Sequence, residues 1–206
     1  MAIVVVGANG KDVGKTELIC GLIAALPEFA WTAVKITDHP HGRLPRLYEE
    51  RSAGPDSDTS RYLAAGARRA FLMAAGELDL AAGLDDLWAL LGAESDVIFE
   101  SNRVLSFVQP DLCLAIEPES ASQPKPSFRL VEQQKHGTVR RAGPIGGQAL
   151  SGRGEMHPVF SLANFSRIPP PMREWLRARL PAPGRGNINR KDSHFDREDR
   201  WTAGIS

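Results

Sequence analysis

Apolar residues along the first two thirds of this chain fall into short blocks that alternate between two periods. Residues 2–6 are an unbroken apolar run of strand length, and the spacing of Leu18, Ile19, Leu22, Ile23 and Leu26 predicts a helix over 15–26 with one apolar face, stopped by Pro27. Residues 31–36 read as a second strand. Asp58 or Thr59 is placed to cap a helix running to about residue 65, which Gly66 closes. Residues 69–74 predict a third strand and 77–91 an amphipathic helix carrying Leu80, Leu84, Leu87, Trp88 and Leu91. Residues 96–100 form a strand ending in an acid, and Pro110 introduces another apolar strand over 111–116. Strands that alternate with helices imply an α/β fold: a mostly parallel central sheet, joined by right-handed crossovers and flanked by helices.

The pattern weakens elsewhere. Residues 43–57 mix Arg, Glu, Pro, Gly and Ser without periodicity and read as a mobile loop. From Gln133 the signal decays: 135–156 are rich in Gly, Arg and Lys, with slight strand character at 138–140. Residues 159–162 suggest a last strand, and 170–180 a last helix with Met172, Trp175, Leu176 and Leu180 as its stripe. The expected organisation is one domain over 1–180, weakly ordered at 135–156, and a disordered tail over 181–206.

Composition narrows the classes. A chain of 206 residues suits one α/β core, and its 25 basic and 25 acidic side chains cancel, so no global field recruits nucleic acid or an anionic membrane. No apolar run has the length of a membrane span and the N-terminus lacks a signal-peptide pattern, so a cytoplasmic location is expected. Cys20 and Cys113 sit in apolar contexts that suit buried thiols better than a disulfide or a metal site.

The chemistry concentrates where the first strand ends. Gly7-Ala8-Asn9-Gly10-Lys11-Asp12-Val13-Gly14-Lys15-Thr16-Glu17 is a glycine-rich turn between an apolar strand and a helix. Such a turn directs backbone N–H groups at a polyphosphate, and the helix dipole favours that charge. The candidate phosphate-binding stretch runs from Asn9 through Gly10, Lys11, Asp12, Val13 and Gly14 to Glu17. Within it Lys15 reaches the β- and γ-phosphates and Thr16 offers its hydroxyl to Mg²⁺. Counted back from Gly14, Asn9 takes the place of the first glycine in G-x-x-x-x-G-K-[ST], and Asn tolerates the left-handed backbone expected there.

Mg²⁺ also needs a hard carboxylate at the C-terminal end of a nearby strand. Glu100 is the best placed, whereas Asp96 starts the same strand and reads as a strand-entry residue at the far end of the sheet. Asp38, His39 and His41 cluster after the second strand; the preferred reading is a solvated turn lining the cleft, with Asp38 as a second acid near Mg²⁺. Asp58 and Arg61 lie where a loop becomes a helix, and Arg61 is a candidate phosphate contact. No nucleophile–base–acid triad is visible. The guanine-reading segment Asn-Lys-x-Asp is absent, and Lys125-Pro126-Ser127 occupies a region where nucleotide-binding α/β proteins contact the base.

Four segments together, GANGKDVGKT, AVKITDHPHG, DTSRYLAAGA and VIFESN, resemble the molybdopterin-guanine dinucleotide biosynthesis protein B family over roughly residues 3–117. The resemblance implies a three-layer P-loop NTPase fold with a Walker A turn. It implies a dimer that binds GTP, or ATP, with Mg²⁺, hydrolyses it slowly and assists a molybdenum cofactor nucleotidyltransferase. It places Lys15 and Thr16 on the phosphate and Mg²⁺, Asp58 and Arg61 on the family's Asp and Arg, and Glu100 on its strand-end acid; Lys15 and Glu100 are then the catalytic pair. The chain departs from the family at Asn9, at Ser101-Asn102, which replaces a glycine after the acid, and at Ile36-Thr37-Asp38. The alternative is a P-loop small-molecule kinase or a dethiobiotin-synthetase-like ligase, whose loop also ends Val-Gly-Lys-Thr. An enzyme of that kind requires a substrate pocket beside the phosphates, and an accessory protein a broad partner surface.

Overall fold

A computed structural model describes residues 1–10, 12–38, 46–76, 78–92, 95–117, 125–142 and 157–183. In chain order its strands are β1 (Ile3–Ala8), β2 (Thr32–Thr37), β3 (Leu47–Glu49), β4 (Arg69–Ala74), β5 (Val97–Glu100), β6 (Leu112–Glu117), β7 (Gly137–Arg141) and β8 (Val159–Leu162). The helices are α1 (Lys15–Ala25), α2 (Asp58–Ala64), α3 (Leu80–Leu91), α4 (Phe128–Gln134) and α5 (Pro170–Arg177). The strands form one eight-stranded sheet in the order β3-β4-β2-β5-β1-β6-β7-β8. All neighbours are parallel except β3, which runs antiparallel along the edge of β4.

The unbroken apolar runs of the central strands follow from helices covering both faces, which leaves neither side of the pleat wet. Along β1 the alternation is complete. Val4, Val6 and Ala8 pack with Leu18, Ile19 and Leu22 of α1, Tyr62 of α2, and Met172 and Leu176 of α5. Ile3 and Val5 face Leu80, Leu84 and Leu87 of α3 and Phe128 and Val131 of α4. Three layers result, with β1 at the centre between β5 and β6. Register pairs Val6 with Glu100 and Glu100 with Lys35, so the C-terminal ends of these three central strands lie together at one end of the sheet.

Most predicted elements are present within a few residues. Gly66 closes α2 at φ +105°, as its sequence position implies. Asp96 is a strand-entry residue: its Oδ1 accepts from the Ala2 amide at 2.7 Å at the far end of the sheet. Three expectations are corrected. Leu47–Glu49, read as part of an aperiodic loop, pairs with β4, where three residues suffice for an edge strand but are too few to show a period. The cap of α2 is Ser57, not Asp58 or Thr59: Ser57 and Ser60 form a reciprocal capping box. The decaying region contains a strand of five residues, β7, and follows a helix, α4, that was not foreseen; α4 has seven residues, only two of them buried. The expectations for 143–156 and for 184–206 lie outside the described residues. Among the described residues no helix is long and apolar enough to cross a membrane.

Candidate functional site

The chain leaves β1 at Ala8 and re-enters helix at Lys15, and the turn between is held by side chains from distant segments. Asn102, just past β5, brackets Ala8: its Oδ1 accepts from the Ala8 amide at 2.9 Å and its Nδ2 donates to the Ala8 carbonyl at 3.0 Å. Asn9 Oδ1 accepts from the Lys125 amide at 2.9 Å, tying the turn to the segment ahead of α4. Asn9 does not have the left-handed backbone expected of it. That conformation is found at Asp12 (φ +56°) and Gly14 (φ +94°). Gly14 precedes α1 with no side-chain cap on the helix. A Cβ there would lie 2.7 Å from the Phe165 ring, so both the backbone angle and the covering ring require glycine. Gly10 accepts from Lys15 Nζ at 3.1 Å, which curls the lysine back over the turn; burial lowers the Lys15 pKa, opposed by Glu100. Val13 packs against the apolar cluster on the α1 face. Lys11, His39 and His41 lie outside the described residues.

Glu100 is the hub. It is the last residue of β5, 6% exposed, and shares its face of the sheet with Ile98. Thr16 Oγ1 donates to its Oε2 at 2.8 Å, and the fully buried Tyr62 hydroxyl donates to the same oxygen. Lys35 Nζ stands 3.6 Å from Oε1 and is also paired with Asp58, whose other oxygen lies 3.5 Å from Arg61 Nη1. Charge is thus shared along a row: Arg61, Asp58, Lys35, Glu100. Burial pushes the Lys35 ammonium down, but Glu100 and Asp58 outweigh it and the net shift is upward. Burial raises Asp58, but Lys35, a hydrogen bond from Thr16 and the Arg61 charge together more than offset that, and the net shift is downward. For Tyr62 burial and the neighbouring Glu100 both oppose ionisation, which holds its pKa well above the ordinary value.

Of the residues singled out in the sequence, the structure brings together Thr16, Glu100 and Asp58, which Thr16 and Lys35 both join, and, through Asp58, Arg61. Asp38 is placed differently. Its carboxylate pairs with Arg103, which also donates to the Ala75 carbonyl at 2.9 Å, and no contact among the described residues joins it to Thr16 or Glu100. Glu17 points toward the C-terminal third: Oε1 accepts from the Phe165 amide at 3.0 Å and Oε2 pairs with Arg141 at 2.9 Å. Arg141 in turn stacks on the Phe165 ring, 4.5 Å from its centroid.

Sequence reasoning missed Lys35 and Tyr62. Lys35 sits in the AVKITDHPHG stretch that carried the resemblance but was given no site role, and its signal was a lone charge at an otherwise buried position beside Val34 and Ile36. Tyr62 offered the same kind of signal, a polar tip on the buried face of α2, and which partner it meets is decided by sheet order rather than by spacing.

Thr16 Oγ1 and Glu100 Oε2 are hard oxygens 2.8 Å apart, donor types that fit Mg²⁺. The uncapped start of α1 and the ammonium of Lys15 suit a polyphosphate. No protein-family model, curated protein or solved structure matches the chain.

Proposed function

We propose that the chain is a P-loop NTPase that binds a Mg²⁺–nucleoside triphosphate at the turn between β1 and α1 and hydrolyses it slowly. The observation that carries this reading is the 2.8 Å hydrogen bond between Thr16 and Glu100, residues 84 positions apart. It joins the hydroxyl of a Gly-Lys-Thr turn to a strand-end carboxylate, the two oxygen types such a cation takes. Thr16 and Glu100 would hold Mg²⁺, and Lys15 with the first amides of α1 would hold the phosphates. Mg²⁺, when bound, supplies charge neutralisation at the phosphate oxygens. Tyr62 and Lys35 fix the Glu100 carboxyl group, and Lys35 offsets its charge. The order of strands, with β1 beside the strand that ends in the acid, supports the same reading.

The resemblance in motif order extends the proposal to GTP as the nucleotide and to a homodimer serving a molybdenum cofactor nucleotidyltransferase in the cytoplasm. Calorimetric titration with GTP and ATP, with and without Mg²⁺, tests both levels. Mg²⁺-dependent binding that Lys15→Ala weakens at least about tenfold is expected, and unchanged affinity in that variant overturns the phosphate assignment. Preference for ATP removes the accessory-protein extension and leaves the nucleotide site standing.

A further inference from the structure

Beyond Lys35 lies a cleft of about 560 Å³ that adjoins the Thr16–Glu100 pair through Lys35 and Asp58. That size falls within the range of about 300–1,000 Å³ usual for small-molecule pockets. Its walls are built by three parts of the fold: Lys35 of β2, Tyr48 and Leu72 of the β3–β4 pair, and Asp56, Asp58 and Arg61 around the start of α2.

The lining groups differ in whether they are already engaged. Glu50 also faces the cleft, but its Oε1 accepts from the amides of Arg51 and Ser52 at 3.0 and 3.2 Å, and its Oε2 from the hydroxyls of Ser57 and Thr59 at 3.2 Å each. Its role is to hold the 50–57 loop onto the cap of α2. Asp58 is engaged between Lys35 and Arg61. Among the described residues, no ion pair or hydrogen bond engages the Tyr48 hydroxyl or the Asp56 carboxylate, and Arg61 engages a side chain through Nη1 alone. One cation, one carboxylate and one phenol are therefore available, beside the apolar surface of Leu72 and Pro55.

This balance selects among ligand charges. The lining carries Lys35 and Arg61 against Glu50, Asp56 and Asp58, an excess of one negative charge, so a polyanion is repelled. A simple amine leaves the guanidinium of Arg61, 42% exposed, paired only with Asp58 and solvent. A ligand with both charges satisfies both ends, since guanidinium pairs well with carboxylate. We propose that the cleft binds a small zwitterion, a carboxylate and an ammonium joined by a short apolar chain, with the acid on Arg61 and the amine toward Asp56. This site stands beside the nucleotide site and shares Lys35, Asp58 and Arg61 with it, but its existence does not depend on nucleotide binding.

The test is amide NMR of the full chain titrated with 6-aminohexanoate, with hexanoate and hexylamine as the acid-only and amine-only probes. Saturable shifts at Tyr48, Ser57, Asp58, Thr59 and Arg61 are expected, with each one-charge probe at least about tenfold weaker. Asp56→Asn and Tyr48→Phe should each weaken binding of 6-aminohexanoate severalfold. No saturable shift in this region overturns the proposal, and so does equal binding of either one-charge probe. Mg²⁺ with GTP or ATP, titrated into the same sample, reports at residues 10–17 instead, so failure of the nucleotide site and failure of the cleft are read separately.

Discussion

Thr16 and Glu100, on α1 and β5, meet at 2.8 Å through the hydroxyl of one and Oε2 of the other, and Tyr62 donates to that same oxygen. The carboxylate is thus held from two helices, α1 and α2. Glu100→Gln keeps the shape and removes the charge. Mg²⁺-dependent hydrolysis should fall about 10–100-fold, while binding of nucleotide without Mg²⁺ changes little. Steady-state phosphate release alongside calorimetry separates the two effects, and equal hydrolysis by both proteins removes Glu100 from the site.

Lys35 and Asp58 make the fold's stability depend on pH. Asp58 is held below its ordinary 3.8, so its contribution is present above that value and is lost as pH falls through the lower folded value. Lys35 is held above 10.5, so its contribution is present below that value and is lost as pH rises through the higher folded value. Lys35→Met should cost on the order of 1–3 kcal/mol at neutral pH, a gap that narrows in acid. Urea unfolding of both proteins across pH measures it; a gap independent of pH contradicts the pairing.

Gly21 lies inside α1, where alanine ordinarily stabilises a helix by about 1 kcal/mol. Here the sign should reverse. A Cβ at Gly21 would stand 2.2 Å from the Phe165 carbonyl oxygen, and backbone cannot yield as a flexible side chain does. Gly21→Ala should destabilise the protein by about 1–3 kcal/mol in urea unfolding, and a stabilised variant shows that the 165–166 segment does not pack on α1.

Burial pushes the Cys113 thiol up to about 12, and burial also raises Cys20. At pH 8 only about one Cys113 in ten thousand is thiolate. Neither cysteine should react readily with a thiol reagent under native conditions, and both should react in denaturant. Fast native labelling of Cys113 contradicts its place on the covered face of β6.

The alternation of strands and helices was legible because both periods are strong where both sheet faces are buried, as over residues 2–6 and 69–74. The pairing partners were not. That Glu100 faces Thr16 rather than Asp38 follows from β5 lying between β2 and β1, an order that no local pattern encodes. Gly14 was legible as the glycine before Lys15, but its positive φ was not, since the left-handed backbone was expected at Asn9. The contact of the Asn9 side chain with Lys125 joins residues too distant in sequence for a local pattern to show. The edge strand Leu47–Glu49 was hidden by its length.

The amide of Phe165 rests on Glu17, 148 residues earlier in the chain, and its ring covers Gly14. A nascent chain emerging from the ribosome therefore exposes the Gly10–Thr16 turn long before the segment that covers it has been made. Contacts so distant in sequence form late and slowly, so the growing polypeptide carries Gly14 without its covering ring through most of its synthesis.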